Sequence, residues 1–89
     1  MRLRILGGRS MINAYILTMM KPGNAQKAIA EMKNIENVEK ISVVAGEFDI
    51  VVRVRVNDLE QLLDLTNKLQ MINGVEKTTT QIIEKEIAL

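Results

Sequence analysis

One hexapeptide occurs twice in this chain in nearly the same form. Ile35-Glu36-Asn37-Val38-Glu39-Lys40 realigns with Ile72-Asn73-Gly74-Val75-Glu76-Lys77 at an offset of 37 residues, and Met32 and Leu69 correspond at the same offset. Each copy joins an amphipathic stretch to a β-branched one, so the chain reads as two βαβ-like halves. That constrains the fold more than any single propensity, because two such halves in 89 residues build the split arrangement of ferredoxin-like domains.

The segments around the repeat agree. Residues 12–20 are a β-rich run closed by Lys21-Pro22-Gly23, where the proline cannot donate to a ladder and the glycine permits a turn. After Asn24, a candidate helix cap, Ala25, Ala28, Ile29, Met32 and Ile35 fall on one helical face. Residues 38–45 and 48–56 are strand runs separated only by Gly46-Glu47, a gap that predicts a tight hairpin. Asn57-Asp58 caps a second helix, predicted to bury Leu59, Leu62, Leu63, Thr66, Leu69 and Ile72, and Asn73-Gly74 ends it as a left-handed cap. A last strand runs from Val75 and exits near Glu84. The expected class is α+β: a ferredoxin-like βαββαβ fold with a four-stranded antiparallel sheet and two helices on one face.

Composition narrows the chemistry. With no Cys and no His, the chain offers no thiol nucleophile, disulfide, imidazole base or usual zinc, haem or iron-sulfur ligand. No catalytic residue, metal ligand or cofactor-binding residue is assigned, and the chain is read as no enzyme. Net charge is +1 and the aromatics are Tyr15 and Phe48 alone, so no phosphate-tracking surface or base-stacking platform is expected and direct DNA binding is not anticipated. Lys21, Asp49 and Arg53 interrupt every apolar run well short of a bilayer span, and no secretory leader is recognisable, so a cytoplasmic protein without a membrane partner is expected.

Residues 1–10 are composed differently, with three arginines ahead of a second methionine, Met11. They are read as an upstream translation start or a vector-derived remnant, with an edge strand or oligomer-clasping arm as the alternative; the domain is expected over residues 11–89.

The sheet face away from the helices is where function is sought. Tyr15, Leu17, Met19, Val51 and Ile83 alternate onto it and would stand exposed unless a second subunit packs there, which predicts at least a homodimer, face-to-face or edge-joined, of the dimeric α+β barrel or sandwich kind. Arg53, Arg55, Thr79 and Gln81 share that face, with two readings open: rim solvation or intersubunit pairing with Glu84 or Glu86, and an arginine pair set for an anion. Ala45-Gly46-Glu47-Phe48-Asp49 is the most informative stretch. It reads either as a plain turn with an aromatic plug, or as a zwitterion site in which backbone N–H groups hold an α-carboxylate, a carboxylate holds an α-ammonium and Phe48 borders an apolar pocket.

The stretches Ala14-Tyr15-Ile16-Leu17, Lys21-Pro22-Gly23, Val44 through Val54, Asn73-Gly74-Val75 and the Thr-rich last strand ending in Ile82-Ile83-Glu84 together resemble the effector-binding (RAM) domain of the Lrp/AsnC family of transcriptional regulators. The resemblance runs from about residue 13 to 87, and its most specific part is the Gly-acid-aromatic-Asp loop. It implies dimers that assemble further, as an octamer or decamer, with an amino-acid effector bound between dimers. Effector contacts then fall on Gly46, Glu47, Phe48 and Asp49, and on Thr78 and Thr80 of a neighbouring subunit. Complete regulators carry an N-terminal helix-turn-helix, which ten residues before Met11 cannot form, so the chain is expected to be the stand-alone module, acting as a sensor or in mixed oligomers with full-length regulators. A purely structural co-assembly partner without a ligand, and an ACT-like amino-acid-binding regulatory domain, are the alternatives; a dimeric α/β-barrel enzyme is disfavoured by the missing His and Trp.

Overall fold

The computed structural model describes residues 11–89, and the segment at 1–10, with the readings made for it, lies outside the described residues. The elements run β1 (Ile12–Met20), α1 (Ala25–Met32), β2 (Val38–Val43), β3 (Ile50–Val56), α2 (Leu59–Gln70) and β4 (Val75–Ile82). The strands form one antiparallel sheet in the order β2-β3-β1-β4. This is the expected ferredoxin-like βαββαβ arrangement.

Register explains which side chains meet. Ala14 faces Val54, Ile16 faces Val52 and Thr18 faces Ile50 across β1 and β3, so these share one side of the sheet, and all are fully buried. Ala28 and Met32 of α1 and Leu62, Leu65 and Leu69 of α2 close over that side in a single apolar cluster. Each fully buried Ile or Leu there contributes on the order of 1.5–3 kcal/mol relative to exposure.

The repeat has a physical basis in the two joints between helix and strand. The Ile35 N–H donates to the Met32 carbonyl and the Val38 N–H to the Ile35 carbonyl; Ile72 donates to Leu69 and Val75 to Ile72 in the same pattern. Asn37 (φ 78°) and Gly74 (φ 94°) are the left-handed residues at the equivalent position of each joint. Gly74 has a second constraint, since a Cβ there would sit 2.5 Å from Asn24 Cβ.

Several details differ from the sequence expectation. The β2–β3 connection is longer than a two-residue hairpin: β2 ends at Val43, β3 begins at Ile50, and the Val44 N–H to Asp49 carbonyl bond (2.9 Å) leaves residues 45–48 as the loop. Asn24 occupies the cap position of α1, yet its side chain makes no cap bond. Its amide Nδ2 instead donates to the Pro22 carbonyl (3.2 Å), because the preceding turn claims it first. Asp58, in extended conformation, does cap α2, accepting from the Gln61 N–H at 2.8 Å. In α2 the buried stripe is Leu62, Leu65, Leu69 and Ile72, whereas Leu59 (58% exposed) and Leu63 (63% exposed) lie on its flank. The apolar arc of this helix is wider than the strip the sheet covers, so periodicity alone placed the stripe about one residue off and left out Leu65.

One buried polar atom stands out. The Thr18 hydroxyl is inaccessible to solvent and has no hydrogen-bond partner among the described residues. An unpaired buried hydroxyl costs roughly 1–3 kcal/mol, so Thr18→Val, nearly the same shape, is expected to raise stability by about 1 kcal/mol. A denaturation midpoint that falls in this variant would show that Thr18 is paired in the assembled protein.

Candidate functional site

The loop after β2 is held by the end of β1. The Asp49 N–H donates to the Thr18 carbonyl (2.9 Å), and the Asp49 Oδ2 accepts from the Met20 N–H (2.7 Å), 29 residues away in sequence. This carboxylate pins the loop to the strand that starts the Pro22-Gly23 turn, and its other oxygen carries no protein partner among the described residues. A carboxylate bonded to a half-buried backbone N–H contributes about 1–2 kcal/mol. Asp49→Ala is expected to lose that amount, and Asp49→Asn, whose amide oxygen still accepts, under half of it. Equal losses in thermal melts of the two variants would contradict the pinning role.

The other loop residues are placed differently. Gly46 has φ 150°, Glu47 is exposed with no hydrogen bond or ion pair among the described residues, and Phe48 is half-buried beside it. The Glu47 carboxylate is therefore available to an incoming cation, while Gly46 permits a backbone path that a Cβ would strain.

Thr78 and Thr80 fall elsewhere within one chain. Thr18 pairs with Ile50 on one side and Thr78 on the other, so Thr78 lies two strands from the loop, about 10 Å across the sheet. Both threonines share the helix side with Thr18 and Ile16, on the outer strand β4. Thr78 Oγ1 accepts from Gln70 Nε2 at 2.9 Å, a tie between α2 and β4 that no residue pattern signals. Thr80 lines a groove of about 340 Å3 with Leu59, Leu62, Leu63, Thr66 and Ile82. A single chain thus does not bring Gly46 to Asp49 together with Thr78 and Thr80.

On the open sheet face the arginines are largely spoken for. Arg53 donates to Glu39 Oε1 (2.5 Å) and Glu86 Oε1 (2.7 Å), and lies with its guanidinium carbon 5.9 Å from the centre of the Tyr15 ring. Desolvation pulls its pKa down, but Tyr15, Glu86 and Glu39 outweigh it and hold it above the ordinary arginine value. Arg55 stays more exposed, 3.9 Å from Glu39. These pairs lie within one chain, whereas the sequence reading sets Glu84 or Glu86 against the arginines from another subunit, and they engage both terminal nitrogens of Arg53. Glu39 reaches this face through a bulge: Val38 pairs with Val54 and Lys40 with Arg53, so Glu39 is the extra residue. Val38 and Ile41, apolar and three apart in one strand, were the sequence signal for it. Tyr15, Leu17, Met19, Val51 and Ile83 stand on this face without a helix over them, partly exposed.

The described residues gather no three carboxylates, thiols or imidazoles in a way that would hold a metal ion. What the loop offers is an open carboxylate, a turned backbone and an aromatic edge.

Residues 13–88 match the family model described as the Lrp/AsnC ligand binding domain. The chain is 31% identical over 78 residues to the HTH-type transcriptional regulator FL11 of Pyrococcus abyssi, covering 88% of this chain and 51% of that one. It thus spans about half the length of the curated relatives it matches. Among solved structures it is similar to FFRP-DM1 (TM-score 0.76, 26% identity, 81% of this chain and 97% of that one). It is also similar to the feast or famine regulatory protein of M. tuberculosis complexed with L-methionine (TM-score 0.74, 29% identity, 88% of this chain and 53% of that one). The family-model match over residues 13–88 decides between this reading and the ACT-like alternative, whose order of elements is the same: this chain belongs to the Lrp/AsnC family, whose ligand-binding domain it carries.

Proposed function

We propose that the chain is a non-enzymatic, cytoplasmic amino-acid-binding and assembly module that alters transcription through ligand-dependent oligomerisation, by itself or in mixed oligomers with full-length Lrp/AsnC regulators. The observation that carries this reading is the loop at residues 45–48, where Glu47 is unpaired among the described residues beside the turned backbone of Gly46 and the half-buried Phe48. A similar regulator, 29% identical, was solved with L-methionine. Glu47 would take the α-ammonium, backbone N–H groups near Gly46 the α-carboxylate, and Phe48 the apolar side chain. Asp49 acts by holding the loop in place. Thr78 and Thr80 would come from a neighbouring subunit, for which their place on an outer strand suits them. Dimers would form through the open sheet faces and assemble further into an octamer or decamer, so the pocket exists only in the assembly. A ligand bound there shifts assembly by the difference in its affinity for the two states.

The second reading, a structural co-assembly partner without ligand, is favoured by the engagement of Asp49 with Met20, which a plain turn also needs. Thermal melts with each of the twenty amino acids, in L and D forms, separate the two. One or a few L-amino acids are expected to raise the melting temperature of the wild-type protein. Glu47→Gln is expected to need about tenfold more ligand for the same rise, with an unchanged melt in its absence. A melt indifferent to every amino acid would leave the structural partner.

A further inference from the structure

The seven residues after β4 form a strap. The Ile83 N–H donates to the Asn13 carbonyl at 2.8 Å, and three residues later Glu86 meets Arg53 at 2.7 Å. Arg53 stands on β3, and β1 lies between β3 and β4, so residues 83–86 pass over β1 on the side without helices. The Arg53 side chain is only 19% exposed there. Beyond this anchor Ile87 is 72% exposed and Leu89 fully exposed, two apolar side chains that the chain leaves in water.

This strap occupies the face through which the reading above joins two copies, and the inference rests on that reading. Facing sheets pack about 10 Å apart, with side chains of both filling the gap. A strap folded onto its own sheet takes up part of that space. Every contact it makes with its own Asn13 and Arg53 is available, unchanged, on an identical chain, and exchange of such an element is a low-cost route to a dimer. Exchange also adds burial: Ile87 and Leu89 then have a second copy's Tyr15, Leu17 and Val51 to pack against. We propose that residues 83–89 are exchanged between the two copies of the dimer, Glu86 of each clasping Arg53 of the other. The interaction surface is thus the open sheet face plus the strap, and its partner is a second copy of this chain.

Mixed chains test it. Arg53→Glu and Glu86→Arg are prepared separately, and dimer dissociation is measured by sedimentation for wild type, each variant, their equimolar mixture and the doubly reversed chain. Each single variant is expected to dissociate at about tenfold lower dilution or less, the loss of one charge-assisted contact per strap. The mixture is expected to recover a dimer within about threefold of wild type, because each exchanged contact then joins an acid to an arginine, whereas within either chain like charges remain opposed. Recovery in the doubly reversed chain with none in the mixture would place the clasp within one chain and overturn the exchange. Single variants that dimerise as wild type does would overturn the clasp altogether. A wild-type chain that stays monomeric at every concentration would instead defeat the sheet-face reading, and is seen before any variant is made. Should charge reversal beside Glu39 disturb the fold by circular dichroism, Arg53→Gln mixed with Glu86→Gln repeats the test: the mixed dimer regains one native exchanged contact, and no single chain regains any.

Discussion

Gly74→Ala is expected to lower stability by about 3 kcal/mol, a drop in melting temperature of roughly 12–24 °C for a domain of this size. Two costs combine. The residue has φ 94°, where an L side chain is strained by about 1–2 kcal/mol, and its new Cβ would sit 2.5 Å from Asn24 Cβ and 2.9 Å from Asn24 Cγ. Relief of that overlap moves Asn24, which begins α1, or moves the Gly74 carbonyl, which accepts from the Lys21 N–H at 2.8 Å. One methyl group thus disturbs both the β1–α1 turn and the α2–β4 joint. The companion variant Gly74→Ala with Asn24→Gly removes the overlap and keeps the strained φ, so it is expected to recover about half of the loss. A Gly74→Ala protein that melts within 2 °C or so of wild type would show that the joint relaxes freely.

The second large effect separates two leucines of α2. Leu69 is fully buried in the core cluster, and Leu69→Ala is expected to cost about 3 kcal/mol, the lost transfer energy plus the cavity left behind. Leu63 is 63% exposed, and Leu63→Ala is expected to change stability of the isolated chain by under about 0.5 kcal/mol. Denaturant midpoints of both variants, measured at matched chain concentration, check the contrast. Equal losses would restore the stripe that periodicity drew through Leu59, Leu63 and Thr66.

That contrast shows where sequence reasoning stops. The two joints were readable because the same hydrogen-bond pattern and the same left-handed position recur 37 residues apart, Asn37 in one and Gly74 in the other. The buried side of β3 was readable too, since Ile50, Val52, Val54 and Val56 alternate with Arg53 and Arg55. The stripe of α2 was not, because Leu59, Leu62, Leu63 and Leu65 are all apolar and only the position of β4 and β1 decides which are covered. The length of the β2–β3 loop escaped for a related reason: Val44 and Ala45 have strand character, but the ladder ends where Asp49 turns to Met20 and Thr18. At the site, the loop residues stand out by type, whereas the partner of Asp49 lies 29 residues away and is set by tertiary structure. Thr78 and Thr80 look alike in sequence, yet one hydroxyl is tied to Gln70 and the other lines an apolar groove.

On the proposed function, the loop of one copy and Thr78 and Thr80 of another form one pocket that only the assembly completes. Light scattering on the purified chain, with and without the amino acid that raises its melting temperature, reads this directly. The predicted result is a mass well above one dimer that changes when the amino acid is added and returns when it is dialysed away. A single mass that no amino acid alters, in a protein whose melt no amino acid moves, would contradict it.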